Sequence, residues 1–259
     1  MDRVTTDTKV IKKRTFVRNN LNFIYMDKLT VQEIKNRFDK EVERFSNLET
    51  GQVATVDATI SLELLTEAAN VLVPQAENLL DIGCGAGNYT LKMLSKNPRL
   101  HCTLVDLSRE MLNKAQERVG AKTEKVTTVQ GDIREVELPL NRFDIILAGA
   151  VLHHLRDDAD WEHTFKKLFQ LLKPGGCLMI SDLVTAENDL LTDYFRGKWG
   201  DYLEGIGGKE YRQKVLNDTD REDTPRPVTY QLNLMKTVGF KNVEILHKNI
   251  CFAAFGGIK

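Results

Sequence analysis

Apolar and polar positions first fall into a helical period at Thr30. Thr30-Val31-Gln32-Glu33 forms a capping box, and Val31, Ile34, Phe38, Val42 and Phe45 then recur at steps of three and four, the pattern of one amphipathic helix. Residues 1 to about 28 keep no sustained period and read as a loosely ordered arm. Asn47 to Gln52 is a polar break, after which Ile60, Leu64, Leu65, Ala68 and Val71 mark a second helix closed by Pro74. From residue 76 short β-type runs alternate with helical ones. The strands fall at Asn78–Ile82, His101–Val105, Val126–Val129, Asp144–Ala148 and Cys177–Ser181, with helices at about 88–96, 109–119 and 158–172 between them. This βαβα rhythm predicts an α/β fold, a parallel sheet covered on both faces.

After Asp182 the rhythm breaks. Residues 183–227 hold Tyr194, Phe195, Trp199, Tyr202 and Tyr211 and predict a helical insertion over the sheet edge. These aromatics at near-helical spacing read as core of the insertion; the other reading is a cage for an apolar, aromatic or cationic acceptor. A last helix, Val228–Val238, ends at Gly239, and two adjacent β runs, Val243–Leu246 and Cys251–Phe255, predict a hairpin. The expected division is an arm and helical cap over 1–75 and a core over 76–259, with the insertion at about 183–227.

Composition narrows the function. The 259 residues carry 36 Lys plus Arg against 37 Asp plus Glu, a net charge of −1, so no positive field recruits DNA. The basic residues Lys9, Lys12, Lys13, Arg14 and Arg18 read as a solvated tail. Cys84, Cys102, Cys177 and Cys251 stand singly without C-x-x-C spacing, which fits a reducing cytoplasm. No signal-like or membrane-spanning apolar run is present in the sequence.

The chemistry concentrates at strand ends. Asp81-Ile82-Gly83-Cys84-Gly85-Ala86-Gly87-Asn88 runs a strand into a turn with glycines at alternate positions, just before a helix N-terminus, so a ligand can approach the main chain. A dinucleotide fingerprint would place its third glycine at 88, which is Asn88. Asp81 at the lip suits a ligand bearing an ammonium group. Asp106, followed by Leu107, ends the second strand where a carboxylate can accept both ribose hydroxyls; the bland alternative is a turn or cap Asp, although Ser108 is the better cap. Gly131-Asp132-Ile133 offers an acceptor for an exocyclic amino group and an apolar contact for a purine.

This series resembles the class I S-adenosylmethionine-dependent methyltransferases over about residues 76–182. Asp81-x-Gly83-x-Gly85-x-Gly87, Asp106, Gly131-Asp132, Phe143-Asp144 through Leu152-His153-His154, and Leu172-Lys173-Pro174-Gly175-Gly176 match in order and spacing. The resemblance implies a Rossmann-like, mostly parallel seven-stranded sheet whose final hairpin is antiparallel. It also implies S-adenosyl-L-methionine as cofactor and S-adenosyl-L-homocysteine as product. Asp81 and the glycine turn (Gly83, Gly85, Gly87) would hold the methionine part, Asp106 with Leu107 the ribose, Asp132 and Ile133 the adenine, and Ala148 would lie near the sulfur. Phe38-Asp39, Val42-Glu43-Arg44-Phe45, Gly239-Phe240 and Phe252-Ala253-Ala254-Phe255 are similar to the subgroup that includes the carboxy-S-adenosylmethionine synthases. The position of the arginine that binds the extra carboxylate there is Leu234 here, a departure that favours unmodified cofactor and methyl transfer.

Positioning an acceptor in line with an activated methyl removes roughly 7–11 kcal/mol of barrier, so a catalytic base is optional. His154 is the first candidate base and His153 the second, the alternative being a backbone-bonded and an exposed histidine. The local sequence carries no familiar metal-ligand motif around them, and no metal site is expected. The expected function is methyl transfer to a small-molecule acceptor in the cytoplasm. The competing readings are a carboxy-S-adenosylmethionine synthase-like enzyme linked to tRNA modification, and a non-catalytic cofactor-binding subunit.

Overall fold

The computed structural model describes residues 14–19, 22–47 and 51–259, with backbone alone before residue 28. The segment expected to be a loose arm contains two strands, β1 (Arg14–Asn19) and β2 (Asn22–Asp27), paired antiparallel. The rest of the expected arm, with Lys9, Lys12 and Lys13, lies outside the described residues.

The single helix expected from Thr30 is two helices, α1 (Val31–Phe38) and α2 (Val42–Ser46). The capping box at its start is present, Thr30 Oγ1 accepting from the Glu33 N–H and Glu33 from the Thr30 N–H. The break follows from tight turns: the N–H groups of Lys40 and Glu41 bond back three residues, to Arg37 and Phe38. Helix α3 (Ala58–Leu72) stands where expected but is rotated from the expected face. It buries Leu62, Leu65 and Ala69, while Ile60 and Val71 are exposed at 49% and 76%. With those three residues it packs on Leu79, Met93, Ile145 and Met179 and so belongs to the core, not to a separate cap.

The alternating part follows as β3 (Asn78–Ile82), α4 (Asn88–Lys96), β4 (His101–Asp106), α5 (Arg109–Gly120), β5 (Val126–Gln130), β6 (Phe143–Gly149), α6 (Asp158–Leu171) and β7 (Leu172–Leu183). After it come α7 (Asp189–Glu222), α8 (Val228–Val238), β8 (Lys241–Asn249) and β9 (Phe252–Ile258). The seven-stranded sheet has the order β5-β4-β3-β6-β7-β9-β8. Pairings from β5 through β7 are parallel and those of β9 antiparallel. Successive strand residues serve opposite faces: Leu80 and Ile82 join Trp161 and Phe165 in one cluster, Leu79 joins Leu65 and Met93 in the other. Both faces are covered, which is why the parallel strands read as continuous apolar runs. The order in which strands are added to the sheet reverses between the parallel neighbours β3 and β6, and their carboxyl ends open the crevice where open α/β sheets bind ligands.

The insertion is one helical hairpin. Gly208 interrupts α7 with φ 79° and ψ −178°, and the two arms fold back on each other. Arg196 pairs with Asp220 at 2.7 Å, and Arg212 bridges Asp201 and Glu204 at 3.1 and 3.0 Å. Trp199 and Leu203 pack on Phe252 and Cys251 at the β8–β9 turn, and Trp199 Nε1 donates to the Ala54 carbonyl at 2.7 Å. The expected aromatic core is thereby divided: Trp199 is buried, Tyr194 and Tyr202 are exposed. No helix among the described residues is long and apolar enough to cross a membrane.

Candidate functional site

The turn after β3 is shaped by what a side chain would meet. At Gly83 (φ +60°) a Cβ would lie 2.4 Å from Val151 Cγ2, whereas at Gly85 (φ +51°) it would meet nothing within 4 Å. One side of the turn is therefore packed shut and the other opens into a cavity of about 590 Å³. Asp106, at the end of the neighbouring β4, closes the turn from the side: Oδ2 accepts from the Gly85 N–H at 2.8 Å and Oδ1 from the Ser108 N–H at 2.8 Å. Burial, with the nearby Asp39 adding to it, pushes the Asp106 carboxyl up to about 6 against the lowering effect of those N–H donors.

Of the residues singled out in the sequence, Gly83, Gly85, Asp106, Leu107, Asp132, Ile133 and His154 line this cavity. Asp81, Gly87 and Ala148 do not. Asp81 points to the face that Leu79 serves, is 1% exposed, and accepts from Thr90 Oγ1 at 2.7 Å. It ties β3 to α4 behind the turn, and burial pushes its carboxyl up to about 7. Gly87 is the left-handed N-cap of α4, and Ala148 is sealed inside the sheet, its place on the wall taken by Gly149 and Ala150. Asp132 is gripped by Arg134, whose Nε stands 3.0 Å from both carboxylate oxygens while Nη1 reaches Asp160 at 2.8 Å. Burial opposes ionisation of Asp132, but Arg134 outweighs it and holds the carboxyl below its ordinary value.

The far end of the cavity gathers groups from distant parts of the chain. His153 and His154 sit on a short 3-10 turn after β6. His153 Nδ1 bonds Asp182 Oδ1, an oxygen that also accepts from the Leu183 N–H at 3.0 Å. His153 Nε2 stands 3.8 Å from Asp223 Oδ1, and His154 Nδ1 stands 3.0 Å from the same oxygen without hydrogen-bonding geometry. Burial works against protonation of His153, yet Asp182, Asp223 and Glu222 raise it to about 9; burial and the charge of His153 push His154 down. His153 is therefore the charged member of the pair and His154 the neutral one. Phe38 meets His154 edge-on at 5.9 Å between ring centroids and Phe45 at 5.6 Å. Trp199 and Tyr211 of the hairpin also reach this end.

The expectation of no metal ligands rested on local spacing, which cannot see Asp223 at the end of α7. The fold brings His153, His154 and Asp223 together with one donor atom each, all within 4.8 Å. Sequence reasoning likewise missed Asp182, whose only signal was its place at the end of a strand. The four cysteines are unpaired and buried, and burial raises every thiol.

The sequence matches the family described as "Methyltransferase domain" over residues 79–176. It is 31% identical over 197 residues to a demethylmenaquinone methyltransferase of Listeria welshimeri, covering 72% of this chain and 80% of that protein. It is 27% identical over 238 residues to a carboxy-S-adenosyl-L-methionine synthase of Wolinella succinogenes, covering 88% of this chain and 96% of that one. Human N-acetylserotonin methyltransferase, solved with S-adenosylmethionine, shares the fold with a TM-score of 0.59 at 17% identity, over 88% of this chain and 57% of that chain. The chain spans 51% of a malonyl-[acyl-carrier protein] O-methyltransferase of Priestia megaterium, to which it is 29% identical.

Proposed function

The chain belongs to the class I S-adenosylmethionine-dependent methyltransferases, and on that premise we propose that it moves a methyl group to a small-molecule acceptor held beneath the helical hairpin. One observation carries the reading: a single cavity runs from the open side of Gly85 and the Asp106 carboxylate to His154, Phe38 and the hairpin's Trp199 and Tyr211. The residues fit the cofactor, since a Cβ at Gly85 would meet open space and Asp106 keeps a lone pair on each oxygen beyond its backbone bonds. Bound there, S-adenosylmethionine supplies a methyl group on a positively charged sulfur.

Asp106 accepts the ribose hydroxyls, and Asp132 and Ile133 take the adenine. The Gly83–Gly85 main chain meets the methionine part, with Asp81 stiffening the turn from behind through Thr90. His154 is the catalytic side chain at the acceptor, and the apolar wall excludes water. The synthase reading needs an arginine at the position of Leu234 to bind the extra carboxylate, but Leu234, on α8, is buried in the core and does not line the cavity. Incubation with methyl-labelled cofactor and a metabolite extract is expected to label a small molecule. Label found solely in macromolecules, or no label in any fraction, would overturn the reading.

The raised Asp106 carboxyl gives a pH signature. A carboxyl whose folded value is raised holds its proton more tightly in the folded state, so the unliganded protein loses stability as pH rises from the usual carboxylate range through about 6. Cofactor binding runs the other way, because the hydroxyls need the ionised acceptor. Affinity for S-adenosylhomocysteine is expected to be full above that value and to weaken by up to about tenfold per unit below it. Calorimetric titration across this range checks it. A wild-type profile that is flat, or one that Asp106→Asn reproduces, removes Asp106 from the ribose site.

A further inference from the structure

We propose that His153 Nε2, His154 Nδ1 and Asp223 Oδ1 form a binding site for one divalent first-row transition-metal ion at the acceptor end of the cavity. The inference rests on the methyltransferase reading for the ion's role but not for its binding. His154 Nδ1, Asp223 Oδ1 and Asp182 Oδ2 are buried and have no hydrogen-bond partner among the described residues. Buried polar atoms are normally satisfied, yet His154 Nδ1 and Asp223 Oδ1 meet only as an ion pair, which leaves both with room for a shared partner. The first two are 3.0 Å apart, and the His153 Nε2 to Asp223 Oδ1 distance is 3.8 Å. Donor atoms each about 2.0–2.2 Å from a common ion lie about 3–3.5 Å from one another, and the three residues offer donor atoms all within 4.8 Å of one another, so side-chain rotations draw them together around one ion.

The surroundings suit a cation. Asp182 bonds Nδ1 of His153, which fixes that ring's orientation and leaves Nε2 facing the site; the ion takes the place of the Nε2 proton, which is released to solvent, and gives the carboxylate–histidine–metal arrangement of many metalloproteins. Lys28 donates to the main-chain carbonyls of Asp220 and Asp223 and not to the Asp223 carboxylate. Two imidazoles and one carboxylate select zinc, cobalt, manganese or iron(II) over magnesium or calcium, which prefer shells of oxygen. Three ligands leave positions open, and an acceptor hydroxyl bound at one of them loses its proton to water more readily. His154 then acts as a ligand, in place of the proton-accepting role its sequence context suggests.

The test uses the full chain, stripped with a chelator and titrated with cobalt(II) or zinc(II) without cofactor or acceptor. One equivalent is expected to bind, cobalt giving visible d–d absorption that zinc abolishes. Asp223→Asn and His153→Gln should abolish binding, and Asp182→Asn should weaken it about 10–100-fold. Retained stabilisation of each variant by S-adenosylhomocysteine shows that it folds. Absence of one-to-one binding by the wild type, or binding that survives both ligand substitutions, overturns the proposal. Methyl transfer by metal-free, chelator-treated protein at the full rate overturns the ion's role in the reaction and leaves the methyltransferase reading intact. Stoichiometric binding without transfer to any acceptor supports the site while removing that reading.

Discussion

Replacing His154 with alanine is expected to lower turnover by about 10²–10⁴-fold, the range for a side chain that handles the proton of the reacting group. The side chain stands between Phe38 and Asp223, and the cofactor-holding roles proposed above fall on other residues. Stabilisation by S-adenosylhomocysteine should therefore be unchanged, since that ligand acts through its affinity for the folded protein alone. Single-turnover rates with saturating cofactor measure the first quantity and thermal shifts the second. Wild-type turnover in the variant would remove His154 from the chemistry, whichever way it is thought to act.

The largest structural effect is expected at Gly83. The left-handed backbone there costs a side-chain-bearing residue about 1–3 kcal/mol. Its Cβ would also stand 2.4 Å from Val151 Cγ2 and 2.7 Å from Val151 Cβ. Val151 follows Gly149 and Ala150 on the cavity wall, so it can yield only by moving that wall. Gly83→Ala should lower unfolding free energy by about 2–4 kcal/mol and weaken cofactor binding. Adding Val151→Ala removes the Cγ2 contact but leaves the Cβ approach at 2.7 Å and the backbone strain. The double variant should therefore recover part of the loss, with a coupling of about 0.5–3 kcal/mol in a double-mutant cycle. A single variant within about 0.5 kcal/mol of wild type, the scatter of neutral surface changes, would sink the explanation.

The strand-end part of the cavity wall was legible because its residues lie at strand ends in chain order, where spacing encodes geometry. Gly83, Gly85, Asp106, Leu107, Asp132 and Ile133 all came out on the cavity. Where the reading slipped, a one-residue shift on a strand decided the face: Asp81 points with Leu79 into the sheet's covered side, and Ala148 gives way to Gly149. The rotated face of α3 has a similar cause. Ile60, Leu64 and Val71 are apolar enough to mimic a buried stripe, but the sheet selects Leu62, Leu65 and Ala69. The acceptor half was mostly illegible, since Asp182 meets His153 only through the pairing of β7 with β6, and Asp223 meets the histidines only through the return of a long hairpin.

That hairpin leaves and rejoins the sheet at nearly one point, where Thr185 and Pro227 form an isolated bridge and the Thr185 N–H bonds the Arg226 carbonyl at 3.2 Å. Its two ends are thus already closed, and each doubling of its length adds only about 0.6 kcal/mol of closure entropy. Selection can exchange this segment like a cassette, altering what is methylated while the machinery that presents the methyl stays as it is.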